Sequence, residues 1–374
     1  MNAVITGGDV IGVLDRTYPP RLAESWDSVG LVCGDPAEAV RSILVCVDVT
    51  DRVVDEAIGL GVQMIVAHHP LLLRGVDSVA ADTAKGRVVH RLIRAGIGLF
   101  TAHTNADRAR PGVSDALAEL LDVVDVRPIV AAPATPMDKW VVMVPEGNAE
   151  QVSEAMFAAG AGAIGEYRDC CWSVVGTGQF EPLDAANPTI GIIGEHTRVD
   201  EERVEMVADR GLRRAVLAAL RSAHPYEEPA FDILELAETE SDLGLGRLGR
   251  LPTPVGALEF VEFAVERLGS PGGVRVAGDL EARVETVAVC GGSGDSLLDT
   301  VASARADLYL TADLRHHPAD ESLRRGGPIL VDAGHWATEF PWCRQAADVL
   351  TAALGVTVTV YTEPTDPFQT VGRS

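Results

Sequence analysis

Val62-Gln63-Met64-Ile65-Val66-Ala67-His68-His69-Pro70 is an apolar, β-branched run that stops on two imidazoles and a proline. It reads as a strand that ends at His68. Upstream, residues 41–50 (RSILVCVDVT) read as a buried strand. The ten residues between, 51–60, read as a helix with Val54, Ala57 and Ile58 on one face. Downstream, residues 83–95 are helical, with Val88, Val89, Leu92 and Ile93 together, and residues 97–102 form a third strand ending at His103. Strands and helices alternating at this spacing imply a mostly parallel sheet.

Residues 241–374 repeat this grammar. Strands are expected at 284–290, 307–311 and 328–332, and a helix at 297–304. A second His-His-Pro follows the middle strand at His316, His317 and Pro318, and His335 follows the last. The stretch between the halves differs. Strands at 139–144, 171–176, 203–208 and 231–236, with helices at 149–159 and 213–221, give the β-α-β-β-α-β order of a ferredoxin-like domain. Pro133 and Pro136 mark one border, and Glu238, Thr239, Glu240, Ser241 and Asp242 the other. The expected fold class is α/β: two related halves with mixed, mostly parallel sheets, 1–136 and 241–374, interrupted by a ferredoxin-like α+β insert, 137–240. The two halves must come together across the insert.

A length of 374 residues suits two or three domains, and 47% hydrophobic content supplies ample core. The longest apolar runs are strand-length, so no membrane span is expected. The start of the chain, Met1 to Asp9, lacks a basic segment, so a secretory signal is not expected. Six cysteines without a Cys-x-x-Cys pair give no disulfide framework or zinc knuckle, and a cytoplasmic, reduced setting follows. A net charge of −24 argues against extended nucleic acid as a partner. A small anionic ligand is still allowed, because a bound metal supplies positive charge locally.

Open α/β sheets build their sites where parallel strands end. Three such ends carry ligands here: Ala67-His68-His69-Pro70, His103-Thr104-Asn105-Ala106-Asp107, and Gly334-His335-Trp336-Ala337-Thr338-Glu339. Within a regular strand His68 and His69 would face opposite ways. Beyond the last ladder bond, with Pro70 fixing the next φ, both can turn toward one cavity. His335 and Glu339 stand at i and i+4 and share a helix face. The candidate metal ligands are therefore His68, His69, Asp107, His335 and Glu339. This set is too rich for one ion and about right for two, provided one carboxylate bridges and water completes both. Bridged water has a lowered pKa and acts as a nucleophile near neutral pH. Two divalent ions per chain are expected; Zn, Mn, Fe, Co and Ni all suit imidazole and carboxylate.

With these residues the chain resembles the NIF-three-like dinuclear-metal-centre family, often labelled GTP cyclohydrolase 1 type 2 homolog. The resemblance runs over nearly the whole chain. It includes Trp26-Asp27-Ser28-Val29-Gly30-Leu31, the His-His-Pro at 68–70, Thr104-Asn105-Ala106-Asp107, Gly291-Gly292-Ser293-Gly294, and Gly334-His335 with Glu339. It implies that Glu339 bridges the two ions and that the protein is a toroidal homohexamer enclosing a cavity. It also implies that the insert, with His224-Pro225-Tyr226-Glu227-Glu228-Pro229, is CutA-like or PII-like. The chain departs from the pattern at Ser28, where Asn is usual, and at Ala312, where Gly is usual.

Other motifs carry less. Gly291-Gly292-Ser293-Gly294 is either a tight turn or a backbone anion site. Gly244-Leu245-Gly246-Arg247-Leu248-Gly249 spells a dinucleotide fingerprint, but it follows an acidic linker rather than a strand, so that reading fails. Arg74 is solvated or steers a phosphate. His316 and His317 are the candidate acid–base residues. Tyr226, Glu227 and Glu228 form an insert pocket or a solvated turn.

Three functions fit. The first is a metal-dependent hydrolase of a small nucleotide or phosphorylated metabolite, using a metal-bridging hydroxide. The second is a GTP cyclohydrolase-type activity. The third is a non-catalytic metal-binding scaffold whose insert senses a ligand.

Overall fold

The computed structural model describes residues 4–237 and 241–368; Met1 to Ala3, the border residues Glu238, Thr239 and Glu240, and residues 369–374 lie outside the described residues. The chain forms two compact units. One combines the residues up to Ala132 with those from Ser241 onward, so both α/β halves share it. The other runs from Pro133 to Glu240, four residues longer at its start than the sequence pattern suggested.

The first unit holds two large sheets. In one, strands Ser42–Cys46, Met64–Ala67 and Gly98–Thr101 lie parallel in that order. Gly30–Cys33 adds antiparallel at one edge and Thr357–Val360 parallel at the other. The second sheet repeats the plan with Arg283–Ser293, Leu308–Ala312 and Ile329–Asp332 parallel, and Arg275–Ala277 antiparallel at the edge. Its other side carries Arg247–Gly256 and then Val124–Arg127, both antiparallel. Each half thus lends a strand to the other's sheet: Thr357–Val360 joins the first and Val124–Arg127 the second.

Side chains alternate across these strands, as a period of two requires. Ile43 and Val45 face a core that they share with Val287, Val289, Leu308 and Leu310 of the second sheet. Helices Gly7–Thr17, Val113–Leu120, Ala257–Leu268 and His335–Leu354 fill this central layer. Leu44 and Cys46 face the other way, onto helices Asp51–Leu60 and Ala84–Ala95. Those two helices are bounded identically. A threonine, Thr50 or Thr83, caps the first turn, and a left-handed glycine, Gly61 or Gly96, ends the last. Ala288 and Tyr309 face outward onto Leu298–Ser303 and neighbouring segments.

The insert is a four-stranded antiparallel sheet with strands Phe231–Glu235, Met137–Pro145, Thr197–Asp209 and Cys171–Phe180 side by side. With helices Ala149–Ala158 and Arg213–Ala223 the chain order is β-α-β-β-α-β. Trp140, Val142 and Val144 pack with Met156, Val216 and Leu220 in its own core. The chain leaves and rejoins the first unit through a paired ladder, Ala131 against Gly244 and Val130 against Leu245.

Candidate metal centre

The strand Met64–Ala67 does not stop cleanly before the histidines. The backbone N–H of His68 donates to Cys46 (3.0 Å) and that of His69 to Val47 (2.8 Å). In a regular strand, successive N–H groups point to opposite neighbours. Two in a row donating to one segment means the chain has turned between them. That turn, rather than release from the ladder, puts both rings on one side. The rings lie 5.1 Å apart.

The other candidate ligands arrive from two further strand ends. His103 follows the strand Gly98–Thr101, and Asp107 sits in the short helix Thr104–Arg108 that begins next to it. Gly334, at φ +88°, reverses the chain after Ile329–Asp332 and starts the helix that carries His335 and Glu339. Glu339 lies at the centre. Its Oε1 is 3.5 Å from His68 Nε2 and 3.0 Å from His335 Nε2, and its Oε2 is 3.0 Å from His69 Nε2. Asp107 Oδ1 is 3.7 Å from His68 Nε2. All five expected residues come together.

His103 joins them. His68, His69 and His103 form one group whose ligand atoms lie within 4.8 Å of one another, and His69, His335 and Glu339 form a second. His69 belongs to both. His103 stands at a strand end like the others, so the sequence carries a signal for it, but it lies outside the expected ligand set.

Each imidazole is fixed by its far nitrogen. His68 Nδ1 is 2.8 Å from the Ala102 carbonyl, His69 Nδ1 2.7 Å from Asp48, His103 Nδ1 2.9 Å from Asp27, and His335 Nδ1 2.7 Å from Asp313. An acceptor on Nδ1 keeps the proton there and leaves Nε2 free to bind. Asp27 also accepts from the N–H and hydroxyl of Thr104, which explains the Trp26-Asp27 motif: it orients His103. Trp342, fully buried, packs on His68 at 5.1 Å between ring centroids.

Burial and opposite charge pull against each other in this cluster. Burial pushes the Glu339 carboxyl up, but His69, His68 and His335 overcome this and hold it well below the usual range. Burial lowers the histidines, yet Glu339 and Asp48 raise His69 to about 11, and Glu339 with Asp313 raises His335 to about 9. His68 is raised against its burial by Glu339 and Asp107. Asp107 itself is pushed up to about 6 by burial. His103 is lowered by burial and by the neighbouring His68. The decisive detail is that His68 Nε2 and Glu339 Oε2 are sealed from solvent and have no hydrogen-bond partner. Unpartnered buried polar atoms are costly, and a metal ion would give each of them a partner. The donor set, imidazole nitrogen with carboxylate oxygen, suits a borderline divalent metal.

Gly291 and Gly292 wrap the carboxylate. A Cβ on Gly292 would lie 2.3 Å from Glu339 Oε1 and 3.2 Å from His335 Nε2. The N–H groups of Gly291 and Gly292 are taken by Ser114 and Thr338, so this turn is not a free anion site. The glycines are there for close approach. Gly244 and Gly246 give their carbonyls to the fully buried Arg247, which also pairs with Asp115; this too is no nucleotide loop.

His316 and His317 sit exposed on the first turn of His316–Arg324, ring beside ring at 5.1 Å. No hydrogen bond or ion pair among the described residues joins either to the cluster. Arg74 is exposed. Beside His69 and His335 lies a cavity of about 560 Å³, walled also by Asp48, Arg275, Asp313 and Trp336. In the insert, Tyr226, Glu227 and Glu228 line a separate cavity of about 280 Å³ with Phe180 and Glu201. No helix among the described residues is long and apolar enough to cross a membrane.

Comparison with known proteins places the chain. The family model described as Duf34/NIF3 (NGG1p interacting factor 3) matches residues 5–367. The chain is 56% identical over 366 residues to a Mycobacterium tuberculosis protein called GTP cyclohydrolase 1 type 2 homolog, covering 96% of each. A Bacillus subtilis protein of the same name is 37% identical over 333 residues, covering 89% of each. A solved structure of a Bacillus cereus protein related to NIF3 superimposes with a TM-score of 0.81 at 36% identity, covering 99% of this chain and 100% of that one. On the strength of these matches along its length, the chain belongs to the Duf34/NIF3 family.

Proposed function

We propose that this protein is a metal-dependent hydrolase of a small nucleotide or phosphorylated metabolite, built on two divalent ions held by His68, His69, His103, Asp107, His335 and Glu339. The observation that carries this reading is the pair of solvent-sealed, unpartnered atoms, His68 Nε2 and Glu339 Oε2, at the point where the imidazoles converge. Bound divalent ions supply Lewis acidity and lower the pKa of water enough to furnish a nucleophile near neutral pH. Glu339, whose two oxygens face different histidines, would be the residue shared between the ions.

The chain's own residues do the rest. Asp27, Asp48 and Asp313 hold protons on the Nδ1 atoms and aim the rings. Trp342 packs against His68. The 560 Å³ cavity at the open face is the size of a small-molecule site. The overall charge of −24 disfavours long polyanions, so the substrate is small and enclosed. The toroidal homohexamer is part of this proposal, and light scattering of the purified protein tests it.

The shared name of the relatives favours one specific member of the substrate class, GTP, opened at its purine ring. A panel of nucleotides including GTP, and of small phosphoesters, assayed with Zn-, Mn- and Fe-loaded protein of measured metal content, decides between them. Turnover abolished by chelation supports the hydrolase. Metal-replete protein that turns over nothing above a metal-free control sinks the enzyme reading and leaves a metal-binding scaffold.

A further inference from the structure

The last described residues return to the metal cluster from the far end of the chain. Strand Thr357–Val360 lies parallel to Ser42–Cys46, and the N–H of Tyr361 extends the ladder by donating to Val45 (2.8 Å). Both strands therefore finish at the same end of the sheet. Past that end of the sheet the first strand leads to Asp48, and the second to the segment Thr365-Asp366-Pro367-Phe368. The Thr365 hydroxyl donates to Asp48 Oδ2. The other oxygen of Asp48 binds His69 Nδ1 at 2.7 Å, and His69 Nε2 faces Glu339 at 3.0 Å. Asp366, Pro367 and Phe368 then wall the cavity beside His69 and His335.

We propose that Thr365 is a positioning residue for the metal cluster, acting on His69 through Asp48; this rests on the metal-binding reading above. A carboxylate has two oxygens and can rotate about its Cβ–Cγ bond. With only His69 as partner, Asp48 is free to swing, because its side chain is a third exposed and open to water. The Thr365 hydroxyl ties the second oxygen down and fixes the plane of the carboxylate. That plane sets the direction of the His69 ring. His69 is the one residue common to both ligand groups, so its orientation matters to both. The device is unusual in its reach: 317 residues separate Thr365 from Asp48. The role assigned to Asp48 itself, orienting a liganding histidine, is one whose loss ordinarily costs 10- to 100-fold in metal affinity, roughly. Thr365 stands one bond further out.

The test is a zinc titration of the full chain against a chromophoric chelator. Thr365→Val replaces the hydroxyl with a methyl of the same shape, and Thr365→Ser keeps the hydroxyl. The Val variant should bind zinc about tenfold more weakly, and the Ser variant should recover most of that loss. Thermal unfolding of the metal-free proteins should be nearly the same for all three, which separates positioning from mere anchoring of the tail. A double-mutant cycle with Asp48→Asn adds a second check. If Thr365 acts through Asp48, the Val substitution costs little once Asp48 is Asn. Wild-type affinity in the Val variant overturns the proposal, and so do fully additive losses in the cycle. Wild-type protein that takes up no zinc overturns the metal-binding reading itself, and this proposal with it.

Discussion

His69 and Glu339 face each other at 3.0 Å across the cluster, yet Glu339 Oε2 has no hydrogen-bond partner. Glu339 is buried and His69 half-buried, so little water surrounds the pair. Imidazole nitrogen and carboxylate oxygen are both groups that could hold a divalent metal ion.

That arrangement predicts the metal content. Elemental analysis of the wild type should find about two divalent ions per chain, since the ligand set suffices for two only with bridging. His335→Ala and Glu339→Ala should each lose most of it. Full metal in both variants would remove the central claim.

Metal uptake should release protons. At pH 7.5 the metal-free protein carries protons on His69 and His335, whose pKa values are raised to about 11 and about 9. Liganding needs neutral imidazole, so binding expels them, on the order of two per chain. A pH-stat measures this directly. The sign for stability follows. A raised histidine stabilises the metal-free fold below its unfolded pKa of about 6.5 and loses that contribution as pH climbs toward the folded values. Metal-free protein should therefore unfold at lower temperature as pH rises from 6.5 to 10, more steeply than metal-loaded protein.

Gly292→Ala is a small change in a place with no room. The residue sits at φ +65°, and its Cβ would press 2.3 Å from Glu339 Oε1. Strain of this kind costs about 1–3 kcal/mol. The variant should be destabilised in urea by that order and lose metal as the carboxylate is pushed aside. A fold and metal content unchanged would mean that the turn does not shape the site.

The insert should be removable. Ala131 pairs with Gly244, so the two cut ends already lie side by side in a ladder. Joining Ala132 to Leu243 through a short Gly/Ser linker should leave a folded core with its metal. Loss of metal with the core still cooperative in unfolding would show that the insert is needed for the site.

Within the insert, Asp138 is fully buried and paired with Arg213 and Arg210. Arg213 is the first cause of its lowered pKa. A depressed carboxylate stabilises above its unfolded pKa of about 3.9 and loses that contribution as pH falls toward the folded value. Asp138→Asn should weaken the insert and flatten its acid sensitivity, read by proteolysis between pH 3 and 6.

Much of this was legible in the chain. Helix 51–60 and the strand ends at His68, His103 and His335 could be read because apolar runs and caps are local signals. The partners of the histidines could not. Asp48, Asp27 and Asp313 lie 21, 76 and 22 residues from the rings they hold. Nothing local distinguishes them from solvated aspartates. Thr357–Val360 and Val124–Arg127 are apolar enough to be strands, but periodicity does not say which sheet a strand joins. The second His-His-Pro shows how equal letters can stand in unlike structure. His316 and His317 repeat the letters of His68 and His69, but they open an exposed helix turn instead of ending a buried strand.

The exchange of edge strands also orders events in time. Thr357–Val360 flanks the sheet that carries His68 and His69, and it follows Glu339 in the chain. His335 and Glu339 emerge only shortly before it. A growing chain therefore exposes its first histidines long before it holds a complete ligand set. The cluster is complete only when the second half of the chain, with His335 and Glu339, has packed against the first.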